Sequence, residues 1–207
     1  MLDEEKISKS RGNIVNPIEI VEKYGLDAYR YFLLRDVPFG LDGNFSEDAI
    51  IKRYNSDLAN DLGNLVYRTL TMIEKYFDGN IPGNNGGQIR YDVKGQYIIN
   101  MIEGQDCLFI KSVCESMEDY NFSLALTKIW DLISLANKYV EETKPWNLAK
   151  EEKQNELKAF ILVLVKAIRS VANELVPFMP ETSAAILKQL GSDKIVKDEP
   201  LFPRLLS

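Results

Sequence analysis

Apolar residues recur at three- and four-residue steps over most of this chain, and that spacing fixes the fold class more than any other feature. From Ser46, followed by Glu47 and Asp48, the positions Ile50, Tyr54, Leu58, Leu62, Leu65, Val66, Leu70, Ile73 and Phe77 line one side of a helical path. The pattern fits either one long helix or two, opened by a serine cap and acidic first-turn residues. It resumes from about Tyr91 to Tyr120, again from Phe122 to Glu142, and again from about Glu151 to Leu175. Pro145, Pro177 and Pro180 punctuate the later connections, and Pro180-Glu181 opens a final helix that closes at Gly191. Alternating strand patterns are missing. The expectation is an all-α helical bundle.

Ahead of the bundle, residues 1–45 read as a small separate element, and 46–207 as the main helical domain. Asn16 is a cap-type residue, Pro17 suits the first helical position and Gly25 suits a stop, so a short helix lies between them. A second short helix fits LDAYRYFLLRD, with Asp27 as its expected cap. Pro38, Gly40 and Gly43 then interrupt the periodicity. Phe32, Leu33 and Leu34 are too apolar to stay exposed on so small a segment, so the element is expected to pack on the bundle. The run from Ile81 to Gln88 holds enough Gly, Pro and Asn to be a loop.

Composition narrows the chemistry. With 45% hydrophobic and 27% charged residues the chain has the profile of a folded globular protein. The longest apolar run, Ala159 to Val165, falls far short of the ~20 residues of a membrane span. The first residues are charged and lack the apolar stretch of a secretory signal, which makes the cytoplasm the expected location. Histidine is absent, which removes the commonest general base and metal ligand. Cys107 and Cys114, seven residues apart on an expected helix, suit neither a disulfide nor a zinc knuckle, so no metal is expected. At a net charge of −6 the chain does not attract polyanions as a whole, and any nucleic-acid binding must be local.

The string KISKSRGN, Lys6 to Asn13, can by composition form a cationic loop that grips phosphate through ammonium groups and backbone donors. It can equally be a charged, frayed terminus. KISKS resembles the KMSKS signature of class I aminoacyl-tRNA synthetases, with Ile7 in place of the usual methionine. The following NPIEIVEKYGLDAYRYFLLRDVPFGLDGNFS is similar to the methionine-specific members in particular. So are DLANDLGNLVYRTLTMIEKYFDG and FSLALTKIWDLISLANKYVEETKPWNLAK, which carries the likeness to about Lys150. The resemblance implies a loop that closes over the triphosphate of ATP during adenylate formation, with Lys6 and Lys9 as the catalytic contacts, Lys9 foremost, and Ser8 and Ser10 completing the ATP site.

The same resemblance gives the bundle a role in reading tRNA. Asn64 and Arg68 are four apart and share one helix face. A carboxamide and a guanidinium together can read the edge of an unstacked base, although an arbitrary pair of this kind is usually a solvated face. Matched to the family pattern, they are the anticodon-reading pair. Trp146 follows Pro145, which should end the preceding helix near Thr143 and Lys144; by position it can also be a core residue, and the family match makes it the residue that stacks on an anticodon base. Trp130, among Leu126, Ile129 and Ile133, reads as core, as do Tyr29, Tyr31, Phe32, Tyr76 and Phe77. The implied partners are the CAU anticodon loop of a methionine tRNA and ATP.

What the family needs for adenylate formation, a nucleotide-binding sheet domain with a two-histidine signature, is not in this sequence. The chain is therefore expected to be the C-terminal, tRNA-binding portion of such an enzyme and inactive by itself. It can be a fragment, a truncated product or a separate related protein. Two other readings stay open: a stand-alone RNA-binding module without catalysis, and a helical scaffold derived from one.

Overall fold

The computed structural model describes residues 16–36, 40, 46–83, 89–104 and 107–205, which form ten α-helices and one π-helical stretch without any strand among them. The KISKS loop and the residues around Pro38 and Gly43 lie outside that set. In chain order the helices are α1 (Pro17–Tyr24), α2 (Leu26–Asp36), α3 (Glu47–Arg53), a π-helix (Tyr54–Gly63), α4 (Asn64–Phe77), α5 (Val93–Ile102), α6 (Leu108–Glu118), α7 (Phe122–Thr143), α8 (Pro145–Lys150), α9 (Gln154–Leu175) and α10 (Pro180–Leu190). None of the described helices is long and apolar enough to cross a membrane.

The core gathers around α9. Its residues 159 to 165 are all buried, so this helix is covered on every side and not along one stripe. It packs against α4, α5, α7, α8 and α10. Phe160 meets the ring of Tyr139 from α7 at 5.1 Å between centroids.

Local chemistry sets most helix ends. The Asn16 side chain accepts from the Ile18 amide at 3.1 Å, Pro17 opens α1, and Gly25 closes it at φ 88°. Ser46 accepts from Ala49, Asp92 from Gly95 and Asn121 from Leu124, capping α3, α5 and α7 in the same way. The break between α7 and α8 falls at Lys144, which takes a left-handed conformation at φ 50° before Pro145.

Three expectations need correction. The stretch from Tyr91 to Tyr120 is two helices, because Glu103 leaves the helical region and Gly104 adopts φ 111°, a conformation glycine enters without strain. Cys107 consequently precedes α6 and donates to the Met101 carbonyl, while Cys114 sits exposed within α6; both thiols are free. The segment before Gln154 includes a further short helix, α8, read in sequence as a connection. Finally, Asp27 does not cap its own helix: its Oδ2 accepts from the Thr182 amide at 2.6 Å, at the start of α10.

That bond belongs to a joint seating α1 and α2 on the bundle. Arg30 donates from Nε to the Phe178 carbonyl and from Nη2 to that of Pro177, both at 2.7 Å. Arg35 donates to Thr127 Oγ1 at 2.6 Å. Phe32 is buried, and Leu33 and Leu34 are partly so, so the element packs on the bundle as its apolar content requires. The Tyr31 ring lies 4.4 Å from Trp130, and its hydroxyl donates to Asp57 Oδ2 at 2.7 Å. Burial, with the Asp57 charge beside it, pushes the Tyr31 phenol far above its ordinary value, so it remains a donor.

The long stretch from Ser46 to Phe77 is a continuous helical path with a π-helical middle. The Asn64 amide bonds the Ala59 carbonyl, five residues back. A Cβ built on Gly63 would stand 2.9 Å from the Leu58 carbonyl oxygen. Elsewhere in a helix, Gly→Ala gains stability, by about 1 kcal/mol. Here Gly63→Ala is expected to lose about 1–3 kcal/mol, because the clash is with backbone that must shift. Urea denaturation gives the sign; a stabilised variant would mean that the π-helical register does not require glycine.

Candidate nucleic-acid interface

Asn64 and Arg68 open α4 immediately after the π-helix, and burial across this first turn follows the helical period. Leu65 and Val66 point into the core, while Asn64 is exposed and Arg68 half-buried. Among the described residues nothing hydrogen-bonds the Asn64 carboxamide, so its donor and acceptor both face outward. Asn64 lines an open groove of about 560 Å³ together with Asn60, Gly63, Tyr67 and the segment Pro200–Arg204. Tyr67, on the rim, is itself exposed.

Arg68 reaches across to α7. Its Nη1 meets Glu141 Oε1 at 2.6 Å, in an ion pair whose carboxylate is largely in water. Such a pair contributes at most about 1 kcal/mol, so the guanidinium can leave it for a ligand at little cost. The pair brings Arg68 to the last turn of α7, five residues before Trp146. Trp146 is 47% exposed at the second position of α8, which places an uncovered indole at the same end of the bundle. Trp130, by contrast, is 6% exposed.

The structure thus joins Arg68 to the α7 end and exposes Asn64 and Trp146. It says nothing of Lys6, Ser8, Lys9 or Ser10, which lie outside the described residues. Two residues of this region escaped sequence reasoning. Glu141 sits in an acidic pair, Glu141-Glu142, that gave no hint of which helix each would face. Tyr67 shared the helical spacing that marks core aromatics but lies one position off the buried stripe. No group of three or more acidic or cysteine side chains able to hold a metal occurs among the described residues.

Comparison with known proteins identifies the lineage. Residues 1–70 match the family model "tRNA synthetases class I (M)", and residues 107–206 match "Anticodon-binding domain of tRNA ligase". The methionine–tRNA ligase of Caldanaerobacter subterraneus subsp. tengcongensis is 49% identical over 99% of this chain and 34% of its own length. That of Halalkalibacterium halodurans is 43% identical over 99% of this chain and 33% of its own. The Mycobacterium tuberculosis methionyl-tRNA synthetase bound to methionyl-adenylate superposes with a TM-score of 0.87 at 34% identity, covering 96% of this chain and 42% of that one. The chain therefore spans about a third of the length of the curated relatives it matches. By sequence and fold alike, this chain belongs to the methionyl-tRNA synthetase family and carries that family's helical anticodon-binding domain.

Proposed function

We propose that this chain is the tRNA-binding portion of a methionine–tRNA ligase and that it selects a CAU anticodon. What supports this reading is the Arg68 pair with Glu141 on the last turn of α7, five residues before an exposed Trp146, in a chain whose relatives are methionine–tRNA ligases. In this reading Trp146 stacks on the first anticodon base, while the Asn64 carboxamide and the Arg68 guanidinium meet its hydrogen-bonding edge. Arg68 exchanges Glu141 for the base.

Ligation of methionine to tRNA requires ATP. The donor set of KISKS, two lysines and two serines, suits a triphosphate, and Lys6 and Lys9 are the residues proposed to hold it with Ser8 and Ser10. Residues 1–45 would deliver that loop and 46–207 would grip the tRNA. Amino-acid activation would come from the remaining two thirds of such an enzyme, in the cytoplasm.

The test is a titration of labelled anticodon stem-loops against the 207-residue chain at two salt concentrations. The chain is expected to prefer a CAU loop over one altered at the first anticodon base, and the preference should survive added salt better than total affinity does. Trp146→Ala should weaken binding by about 1–3 kcal/mol. Asn64→Ala and Arg68→Ala should narrow the gap between the two loops. Equal binding of both loops by the wild type would leave only a general RNA-binding module, and no binding at all only a scaffold.

A further inference from the structure

A second groove opens at the same end of the bundle, on the other side of α7. It has a volume of about 330 Å³ and lies between α5 and α7, lined by Val93, Tyr97, Ile98 and Leu135 among others. Val93 is 89% exposed and Tyr97 57%, so a hydrophobic wall and an aromatic ring both stand in water. Lone exposed apolar residues need no explanation; a lined concavity that keeps two together does. Its size lies at the low end of small-ligand sites and is too small for a docked helix.

The rim is charged, and it connects this groove to the site of Asn64, Arg68 and Trp146. Glu142 meets Lys94 of α5 at 2.6 Å and Lys138 of its own helix at 4.0 Å. Glu142 directly follows Glu141, the partner of Arg68. Consecutive carboxylates on the last turn of α7 thus tie it to α4 on one side and to α5 on the other. The rim thus sets Lys94 and Lys138 against Glu142 and, behind it, the Asp92 carboxylate that accepts from Tyr139, so its charge is balanced on a chain whose net charge is −6. Both lysines are well exposed, so the Lys94–Glu142 ion pair is weak enough in water to be exchanged for a phosphate, and Lys138 is held more loosely still. Residues 93–102 fall between the two family matches, which end at 70 and begin at 107.

We infer that the α5–α7 groove takes a second unstacked nucleobase of the bound tRNA loop, stacked on Tyr97, with Lys94 or Lys138 meeting the phosphate beside it. A base offers a flat apolar face for the tyrosine and an anionic backbone for the rim, a combination that an apolar peptide lacks. Stacking on an exposed aromatic tolerates any base, so Tyr97 adds affinity and not anticodon choice. This inference rests on the proposed tRNA-binding role of the chain.

The experiment uses CAU stem-loops in which 2-aminopurine replaces one loop base at a time, titrated against the full chain, Tyr97→Phe, Tyr97→Ala and Trp146→Ala. One loop position is expected to be quenched on binding by the wild type and by Tyr97→Phe, and to recover its fluorescence with Tyr97→Ala. That variant should bind about 5- to 150-fold more weakly while keeping the preference for CAU over altered loops. If wild type and Trp146→Ala differ as proposed but Tyr97→Ala matches the wild type in affinity and quenching, the groove takes no base and the inference is overturned alone. If the wild type binds no stem-loop, the tRNA-binding reading falls and takes this one with it.

Discussion

Trp130→Ala is expected to remove about 3–5 kcal/mol of folding stability, whereas Trp146→Ala should change it by less than about 1 kcal/mol. Both tryptophans sit near helices of the same bundle, and composition alone does not separate them. Trp130 is buried, its ring lies against Tyr31, and its indole N–H has no hydrogen-bond partner among the described residues. Its contribution is therefore burial and ring contact. Removing it leaves a cavity between α2 and α7, at the joint that seats the first two helices, and a packed interior relaxes into such a space only in part. Urea denaturation followed by circular dichroism measures both variants. A Trp146→Ala variant as unstable as Trp130→Ala would place the exposed indole in the core and sink its role in stacking.

The second large effect concerns catalysis in the intact ligase. There, Lys9→Ala is expected to slow methionyl-adenylate formation by about 10²–10³-fold, with a smaller loss for Lys6→Ala. A lysine that meets the triphosphate as charge builds up in nucleotidyl transfer acts mainly on the transition state, so kcat should fall more than the KM for ATP rises. Pyrophosphate exchange into ATP, with methionine present, reads out this step without tRNA. The 207-residue chain itself should show neither exchange nor charging. An unchanged rate in Lys9→Ala would remove the loop from the reaction, and robust exchange by this chain alone would overturn the assignment of activation to a missing part of the enzyme.

Much of the bundle was legible because its signals are local. Asn16, Pro17 and Gly25 mark α1 from both ends, Pro145 marks the end of α7, and Pro180 marks a helix start that the structure reproduces. The break at Gly104 was not legible, because apolar spacing runs through it on both sides and a single glycine inside a helical pattern is usually tolerated. Asp27 looked like a cap and is one, but for a helix 155 residues away in sequence. No local rule can supply that. At the candidate interface, the identity of Asn64, Arg68 and Trp146 came from resemblance, while the Arg68–Glu141 pair and the exposure of Tyr67 are products of tertiary packing. The π-helical turn was equally hidden, since a run of i, i+4 apolar positions does not reveal a bond to the fifth residue back.

The joint between the first two helices and the bundle has a lopsided tolerance for change. Arg30 grips the carbonyls of Pro177 and Phe178, and Asp27 grips the amide of Thr182. On the receiving side the partners are main-chain atoms, which nearly every amino acid supplies. The side chains at 177 and 182 can therefore drift across a lineage, within the limits of their own packing, without loosening the seat. Arg30 and Asp27 have less latitude, since two carbonyls need the forked donors of a guanidinium and the Thr182 amide needs a short side chain that ends in an acceptor oxygen. A connection built this way would let the two parts proposed to carry the ATP loop and to grip tRNA diverge at different rates while staying in register, the constraint concentrated in two residues of α2.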